Sequence, residues 1–199
     1  MIDALSWMSR ETRVKTAITL AALGPRICIM GPSNSGKSTL AEAISRKTSL
    51  PAIHLDQLHH LPQTNWIPRE HADFLRLHRE AIEREKWVMD GNYTKCIAER
   101  LERATGLILL DVTVTVGLLR YIRRCYSSSP RIGGLKTGRE NVSWEMVKYI
   151  TRVAPQNRLR HQALYDRVNL PKLRLASPRD VAACFEQWDL SRSEQANPG

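Results

Sequence analysis

Short runs of apolar residues alternate along this chain with longer stretches in which apolar residues recur every three or four positions. The short runs have the length of buried strands, and the longer stretches have the period of amphipathic helices. Alternation of this kind is typical of βαβ units, in which parallel strands form a sheet with helices on both faces. The pattern therefore predicts a three-layer α/β fold around a central parallel five-stranded sheet.

The predicted elements can be placed by residue. The strands are Arg26–Met30, Ala52–Leu55, Trp87–Met89, Leu107–Leu110 and Lys172–Leu175. The helices are Lys37–Arg46, Arg69–Glu85, Lys95–Ala104, Val116–Ser127, Ser143–Val153 and Gln156–Val168. A last helix is expected to begin at Ser177-Pro178, because serine caps helix N-termini and proline suits the first helical position.

The domain organisation predicted from this pattern is simple. We expect one domain over residues 25–190, an N-terminal helix or arm over residues 1–24, and a flexible tail over residues 191–199. One long loop, at about residues 127–142, is rich in Gly and Ser and carries Arg131 and Arg139. Because loops of this length in a compact α/β domain are usually functional, we expect it to be a mobile lid.

The chain is basic, with a formal net charge of +10, and the excess lies in one block. Residues 115–175 contain 13 Lys and Arg but only Glu140, Glu145 and Asp166 as acidic residues. Such a block either closes over a polyphosphate or lies on nucleic acid. Composition alone leaves both interpretations open.

The four cysteines are far apart and form no Cys-x-x-Cys pair, so neither a zinc site nor a disulfide framework is indicated. No apolar run reaches the roughly 18 residues of a membrane span, and the N-terminal residues lack the apolar core of a secretory signal. We therefore expect a cytoplasmic protein without a membrane partner.

A glycine-rich motif directly follows the first predicted strand and precedes the first predicted helix. It has the form Gly-x-x-x-x-Gly-Lys-Ser, and this context makes it a phosphate-binding loop. Its glycines let backbone N–H groups turn towards phosphate oxygens, and the helix N-terminus favours an anion. The predicted nucleotide-binding residues are Gly31, Pro32, Ser33, Asn34, Ser35, Gly36, Lys37, Ser38 and Thr39.

The end of this motif predicts the cofactors. The Lys37 ammonium would reach the β- and γ-phosphates of a nucleoside triphosphate, and the Ser38 hydroxyl would bind magnesium. The sequence therefore predicts binding of ATP with Mg²⁺, with Lys37 as a catalytic residue.

Two further motifs follow in order, His54-Leu-Asp56 and Asp90-Gly-Asn-Tyr93. With them, residues 26–188 resemble the adenylate-kinase-like P-loop proteins and, more closely, the DNA topology modulation protein family. The resemblance implies a P-loop NTPase fold and kinase activity. Nucleoside monophosphate kinases have Asp-Gly-Phe-Pro-Arg at the second motif, so their arginine for the acceptor phosphate is missing here.

Carboxylates at the predicted strand ends are candidates for catalysis. Asp90 and Asp111 both close apolar runs, and the carboxyl ends of strands face the ligand crevice of such folds. We favour Asp90 as the magnesium residue because its neighbouring glycine permits close approach, whereas Asp111 could cap the next helix. Asp56 is the candidate base for the acceptor hydroxyl, with a turn-forming role as the alternative.

Two arginines complete the predicted catalytic set. Arg120 and Arg124 are four residues apart, so a helix would present both on one face. The resemblance implies arginines in a similar helix that stabilise the transferred phosphoryl group, and the planar guanidinium binds phosphate oxygens in pairs.

Two functions remain at this point. The first is a kinase that transfers the γ-phosphoryl group of Mg-ATP to a small acceptor, such as a nucleotide, a nucleoside or another hydroxyl compound. The second is a nucleotide-regulated nucleic-acid-binding protein whose basic block, residues 115–175, tracks a phosphate backbone.

Overall fold

The computed structural model describes residues 18–64, 66–126, 144 and 148–191. They contain a sheet of five parallel strands in the order β2-β3-β1-β4-β5. The strands are β1 (Arg26–Met30), β2 (Ala52–His54), β3 (Trp87–Asp90), β4 (Gly106–Leu110) and β5 (Lys172–Leu175). The predicted α/β fold with a central parallel five-stranded sheet is confirmed.

Seven α-helices connect and flank these strands in the described part of the chain. They are α1 (Lys37–Thr48), α2 (Leu55–His59), α3 (His71–Ile82), α4 (Ile97–Arg103), α5 (Val114–Tyr126), α6 (Ala154–Arg167) and α7 (Pro178–Gln187). Short 3₁₀ turns occupy Ala21–Leu23 and Thr94–Cys96, and a π-helical turn, Tyr149–Val153, precedes α6.

The sheet has an apolar core on each face, as β1 shows. Ile27 and Ile29 pack in one cluster with residues of α1 and α7. Cys28 and Met30 point the other way and pack with residues of α3 and α4. Because side chains alternate along a strand, a strand buried on both faces reads as a continuous apolar run. This is why the strands were visible in the sequence.

The parallel register brings the carboxyl ends of three strands together. Asp90 on β3 is paired with Ile29 on β1 and with His54 on β2. The residues that follow these strands therefore meet at one edge of the sheet, where ligands bind in open α/β sheets.

The element boundaries differ from the prediction in a few places. The second strand ends at His54 rather than Leu55, and residues 55–59 form α2, a short helix that the sequence pattern did not predict. The third strand continues through Asp90. The last helix begins as expected, with a capping box in which Ser177 and Asp180 bond each other's backbone N–H groups.

Several predicted segments lie outside the described residues. These are the proposed lid at about residues 127–142, most of the arm at residues 1–24, most of the tail at residues 191–199, and the first part of the predicted helix Ser143–Val153. Within the described ranges, no helix is both long and apolar enough to cross a membrane. The four cysteines are buried and unpaired.

A buried histidine on α3 makes stability depend on pH. Neither ring nitrogen of His78 has a hydrogen-bond partner among the described residues. Burial, helped by the charge of Arg100, lowers the pKa of His78 to about 4. Between pH 6.5 and 4 the unfolded chain therefore binds a proton that the folded chain excludes, so the free energy of unfolding falls as the pH is lowered through this window.

We expect His78→Met to reduce this acid-induced loss by about 2 to 3 kcal/mol, measured by urea unfolding at a series of pH values. His71→Met, at an exposed position of the same helix, is the matched control for the substitution itself. Part of the loss will remain, because burial also lowers the pKa of His161 to about 4. An unchanged pH profile in His78→Met would contradict the prediction.

Candidate active site

The glycine-rich loop connects β1 to α1 with two residues in backbone conformations that favour glycine. Gly31 has φ +148°, and a side chain there would place its Cβ 2.3 Å from the carbonyl oxygen of Leu110. Gly36 has φ +99° and is the left-handed residue that immediately precedes α1. The two glycines thus let the chain pass close to β4 and then turn into the helix.

The N-terminus of α1 and a lysine face this loop. The first N–H groups of a helix have no acceptor within the helix, so the terminus offers donors and a positive dipole end to an anion. The Lys37 Nζ donates to the carbonyl oxygens of Gly31 at 2.9 Å and Pro32 at 2.8 Å. A guanidinium N–H of Arg120, on α5, donates to the carbonyl oxygen of Ser35. Two cations therefore lie against the phosphate loop.

Asp90 lies beside Ser38. The Ser38 hydroxyl donates to a carboxylate oxygen of Asp90 at 2.7 Å, and Asp90 is buried at the end of β3. Burial alone would raise the pKa of Asp90, but hydrogen bonds from His54 and Ser38 and the charge of Lys37 outweigh it and lower that pKa. The pair presents two oxygen donors, one of them charged, which is the ligand chemistry that Mg²⁺ prefers.

His54, which the sequence analysis did not select as a site residue, bridges two carboxylates behind this pair. Its Nδ1 lies 2.5 Å from an Asp90 oxygen, and its Nε2 lies 2.9 Å from a Glu42 oxygen. Burial acts to lower the pKa of His54, but the hydrogen bonds and charges of Asp90 and Glu42 raise it above its ordinary value. Carboxylates only accept, so imidazolium is the form that donates to both.

Asp111 contacts a different set of residues. Its buried carboxylate accepts hydrogen bonds from Arg158 and Gln162 on α6 and from Arg174 on β5. These bonds outweigh burial and lower the pKa of Asp111. Asp111 therefore ties α6 to the edge of the sheet instead of capping a helix, whereas Asp90 is the strand-end aspartate that contacts Ser38.

The candidate acceptor side lies around Asp56, on α2. The Tyr93 hydroxyl donates to an Asp56 carboxylate oxygen at 2.8 Å. The Tyr93 ring packs on His59 and Phe74, with ring centroids 4.7 Å and 5.2 Å apart. Trp66 meets His60 edge to face at 5.1 Å. The aromatic residues thus pack around the helix that carries Asp56.

Asn92 also contacts the phosphate loop, although the sequence analysis did not select it. Its side-chain oxygen accepts the N–H of Gly31 at 3.2 Å, and its side-chain nitrogen donates to the carbonyl oxygen of Gly31 at 2.8 Å. The Asp90–Tyr93 segment therefore contacts the metal-binding candidates, the phosphate loop and Asp56. Its only signal in the sequence was the motif itself.

Some predicted residues fall outside this description. The side chain of Arg124 is not among those described, and neither are Arg131 and Arg139.

Several cations of the basic block bind other parts of the chain. Arg158 and Arg174 contact Asp111. The Lys172 ammonium donates to the backbone carbonyls of Tyr165, Asp166 and Val168. These three cations stabilise the fold locally, so the sequence charge overstates what the block offers to a nucleic acid.

The phosphate loop connects β1, the central strand of a parallel sheet, to α1, and helices cover both faces of that sheet. This arrangement defines a P-loop NTPase fold. No protein-family model matches this sequence, and no curated protein matches it. The resemblance to the DNA topology modulation protein family therefore stays a prediction.

Several solved structures of similar fold are described as kinases. A shikimate kinase from Bacteroides thetaiotaomicron is 18% identical with a TM-score of 0.49, over 83% of this chain and 96% of that chain. A gluconokinase from Sinorhizobium meliloti 1021 is 19% identical with a TM-score of 0.44, over 84% and 95%. A sugar kinase from Janibacter sp. HTCC2649 is 18% identical with a TM-score of 0.44, over 83% and 95%.

The two strand-end aspartates should respond differently to neutralisation. If Asp90 is the magnesium ligand, Asp90→Asn should weaken Mg-ATP binding at least tenfold and should not weaken binding of ATP in EDTA, because the charged oxygen would be lost to the metal but not to ATP alone. We expect Asp111→Asn to keep Mg-ATP affinity but to lower the free energy of unfolding by about 2 kcal/mol, because its arginines lose their buried carboxylate partner. The loss is limited because both arginines are partly exposed to solvent.

Calorimetric titration with and without Mg²⁺, together with urea unfolding, separates these effects. Asp166→Asn, at an exposed position on α6, is the matched control. Loss of magnesium dependence in Asp111→Asn but not in Asp90→Asn would reverse the assignment.

Proposed function

We propose that this protein is an ATP-dependent phosphotransferase that moves the γ-phosphoryl group of Mg-ATP to a hydroxyl group of a small acceptor. The observation that carries the proposal is the meeting of Lys37 and the Ser38–Asp90 pair at the mouth of the phosphate loop. Asp56 is joined to the same edge of the sheet through Tyr93.

The phosphate loop, residues 31–39, holds the triphosphate of ATP in this proposal. Lys37 already lies against the loop through the carbonyls of Gly31 and Pro32, so it needs only a local side-chain movement to reach phosphate oxygens. Phosphate contacts replace its carbonyl contacts, and a hydrogen bond from the ammonium to a charged phosphate oxygen is stronger than one to a neutral carbonyl oxygen.

Ser38 and Asp90 are the residues that would hold magnesium. Held there, the metal would supply positive charge that neutralises the triphosphate. His54 keeps the Asp90 carboxylate charged and oriented, and the second carboxylate, Glu42, fixes the His54 ring in turn. These hydrogen bonds thus keep the Asp90 carboxylate charged at a buried position, where an isolated carboxylate would have a high desolvation cost.

Arginines neutralise the charge of the migrating phosphoryl group in this mechanism. Arg120 contacts the loop at Ser35, so its guanidinium is beside the place where the phosphates bind. Arg124, one turn further along α5, is the second candidate. The segment at residues 127–142 would close over the site and exclude water, which otherwise competes with the acceptor.

The acceptor binds beside Asp56 in this proposal. The Asp56 carboxylate accepts the proton of the attacking hydroxyl as general base, and the Tyr93 hydroxyl orients that carboxylate through their hydrogen bond. The acceptor is a nucleotide, a nucleoside or another small hydroxyl compound.

The expected location of the protein in this proposal is a reducing cytoplasm.

Removal of the loop lysine tests the nucleotide part. We expect Lys37→Ala to lower phosphotransfer at least about a thousandfold without a change in the unfolding midpoint, because a cation is lost beside the transferred group. The measurement is transfer from labelled ATP to nucleotides, nucleosides and small alcohols. Lys86→Ala, at an exposed loop position, is the control, and full activity in Lys37→Ala would refute the proposal.

Substitution on the acceptor side should separate binding from chemistry. We expect Asp56→Asn to lower kcat about a hundredfold or more with little change in Mg-ATP affinity, because a general base is removed. Tyr93→Phe should give a smaller decrease in the same direction, since only the orienting hydrogen bond is lost. Asp73→Asn, exposed on α3, controls for charge; a weakened Mg-ATP affinity with unchanged kcat in Asp56→Asn would contradict this role.

A further inference from the structure

The Asn92 side chain forms the same two backbone hydrogen bonds with the first residue of the phosphate loop that a residue of a neighbouring β-strand would form. Its amide accepts the N–H of Gly31 and donates to the carbonyl of Gly31. An amide side chain offers a donor and an acceptor side by side in one planar group. Asn92 therefore satisfies both backbone groups of Gly31, at a residue whose φ of +148° and close approach to Leu110 require support.

Asn92 is itself held from the other side by a buried cation. Arg100 on α4 is 0% exposed, and its Nη2 donates to the carbonyl oxygens of Gly91 and Asn92, each at 3.1 Å. No ion pair of Arg100 is found among the described residues, where its Nε and Nη1 also have no hydrogen-bond partner. A guanidinium buried without a carboxylate is expensive to desolvate, and here carbonyl dipoles offset part of that cost.

The carbonyl of Gly31 is shared between Asn92 and Lys37. The Asn92 Nδ2 donates to it at 2.8 Å, and the Lys37 Nζ donates to it at 2.9 Å. If Lys37 moves to a phosphate, the bond from Asn92 remains. Without Asn92 the movement would leave a buried carbonyl unpaired, and an unmade hydrogen bond of a buried group opposes the movement.

We propose that Asn92, held by Arg100, is a positioning residue for nucleotide binding. It fixes the entry of the phosphate loop at Gly31 and keeps the Gly31 carbonyl paired when Lys37 is transferred to the phosphates of ATP. This role rests on the proposed function, because it needs Mg-ATP to bind the loop.

The main test compares Asn92→Ala with Asn169→Ala, an exposed asparagine, as control. We expect Asn92→Ala to weaken Mg-ATP binding at least tenfold by calorimetry, with a fall in the unfolding midpoint no larger than one unpaired backbone N–H, that of Gly31, explains. Amide hydrogen exchange by NMR should accelerate at Gly31 and remain unchanged in β4. Asn169→Ala should match the wild type in all three measurements.

A second variant separates the two hydrogen bonds of Asn92. Asn92→Asp keeps the acceptor for the Gly31 N–H but removes the donor to its carbonyl. We expect slow exchange at Gly31 to persist while Mg-ATP affinity falls at least as far as in Asn92→Ala. Because the added charge also repels ATP, the diagnostic readout is the exchange rate: fast exchange at Gly31 in Asn92→Asp would contradict the acceptor role assigned to this side chain.

Arg100→Lys tests the support behind Asn92, with Arg103→Lys at an exposed position of the same helix as control. We expect Arg100→Lys to weaken Mg-ATP binding less than Asn92→Ala. The double variant should lose less than the sum of the single losses, because both residues act through one contact.

The outcomes are distinguishable. Mg-ATP affinity within twofold of wild type in Asn92→Ala would overturn the positioning role while leaving the proposed function intact. Faster exchange throughout the sheet with a matching fall in the unfolding midpoint would also overturn it. Absence of Mg-ATP binding to the wild type would refute the proposed function and this role with it.

Discussion

The hydrogen bond between the Ser38 hydroxyl and the Asp90 carboxylate joins the first turn of α1 to the end of β3. It forms because the parallel register places the end of β3 beside the end of β1, from which the phosphate loop leads into α1. The candidate metal ligands are thus fixed by the sheet itself. A shift of one residue in that register would turn Asp90 away and separate the two oxygen donors.

Charge around this bond is arranged in pairs rather than spread over a surface. His54 lies between Asp90 and Glu42 and donates a hydrogen bond to each carboxylate. Asp111 accepts hydrogen bonds from two arginines and an amide. The two aspartates stand at the carboxyl ends of β3 and β4, the strands on either side of β1, yet the first contacts Ser38 and the second contacts α6. Their different partners give them different physical roles.

The sequence predicted the elements that local patterns encode. Strands buried on both faces produce continuous apolar runs, and the phosphate loop depends on residues within one short segment, so both were visible without a structure. The partners of Asp90 and Asp111 could not be read in this way. Ser38 is 52 residues from Asp90, and Arg158 is 47 residues from Asp111, so only the folded chain distinguishes the two carboxylates. His54 and Asn92 were not selected as site residues for the same reason, since their partners are distant in the sequence. The helix α2 was not predicted because five residues are too few to show a helical period.

The Asp90–Tyr93 segment has a consequence for how this site can vary between proteins that share it. Three of its four residues contact Ser38, the Gly31 backbone and Asp56 in turn, while Arg100 donates to the carbonyls of the two middle residues. An insertion or deletion of one residue here would move every later contact to the wrong partner at once. Evolution can therefore exchange individual side chains along this segment far more readily than it can change the segment's length.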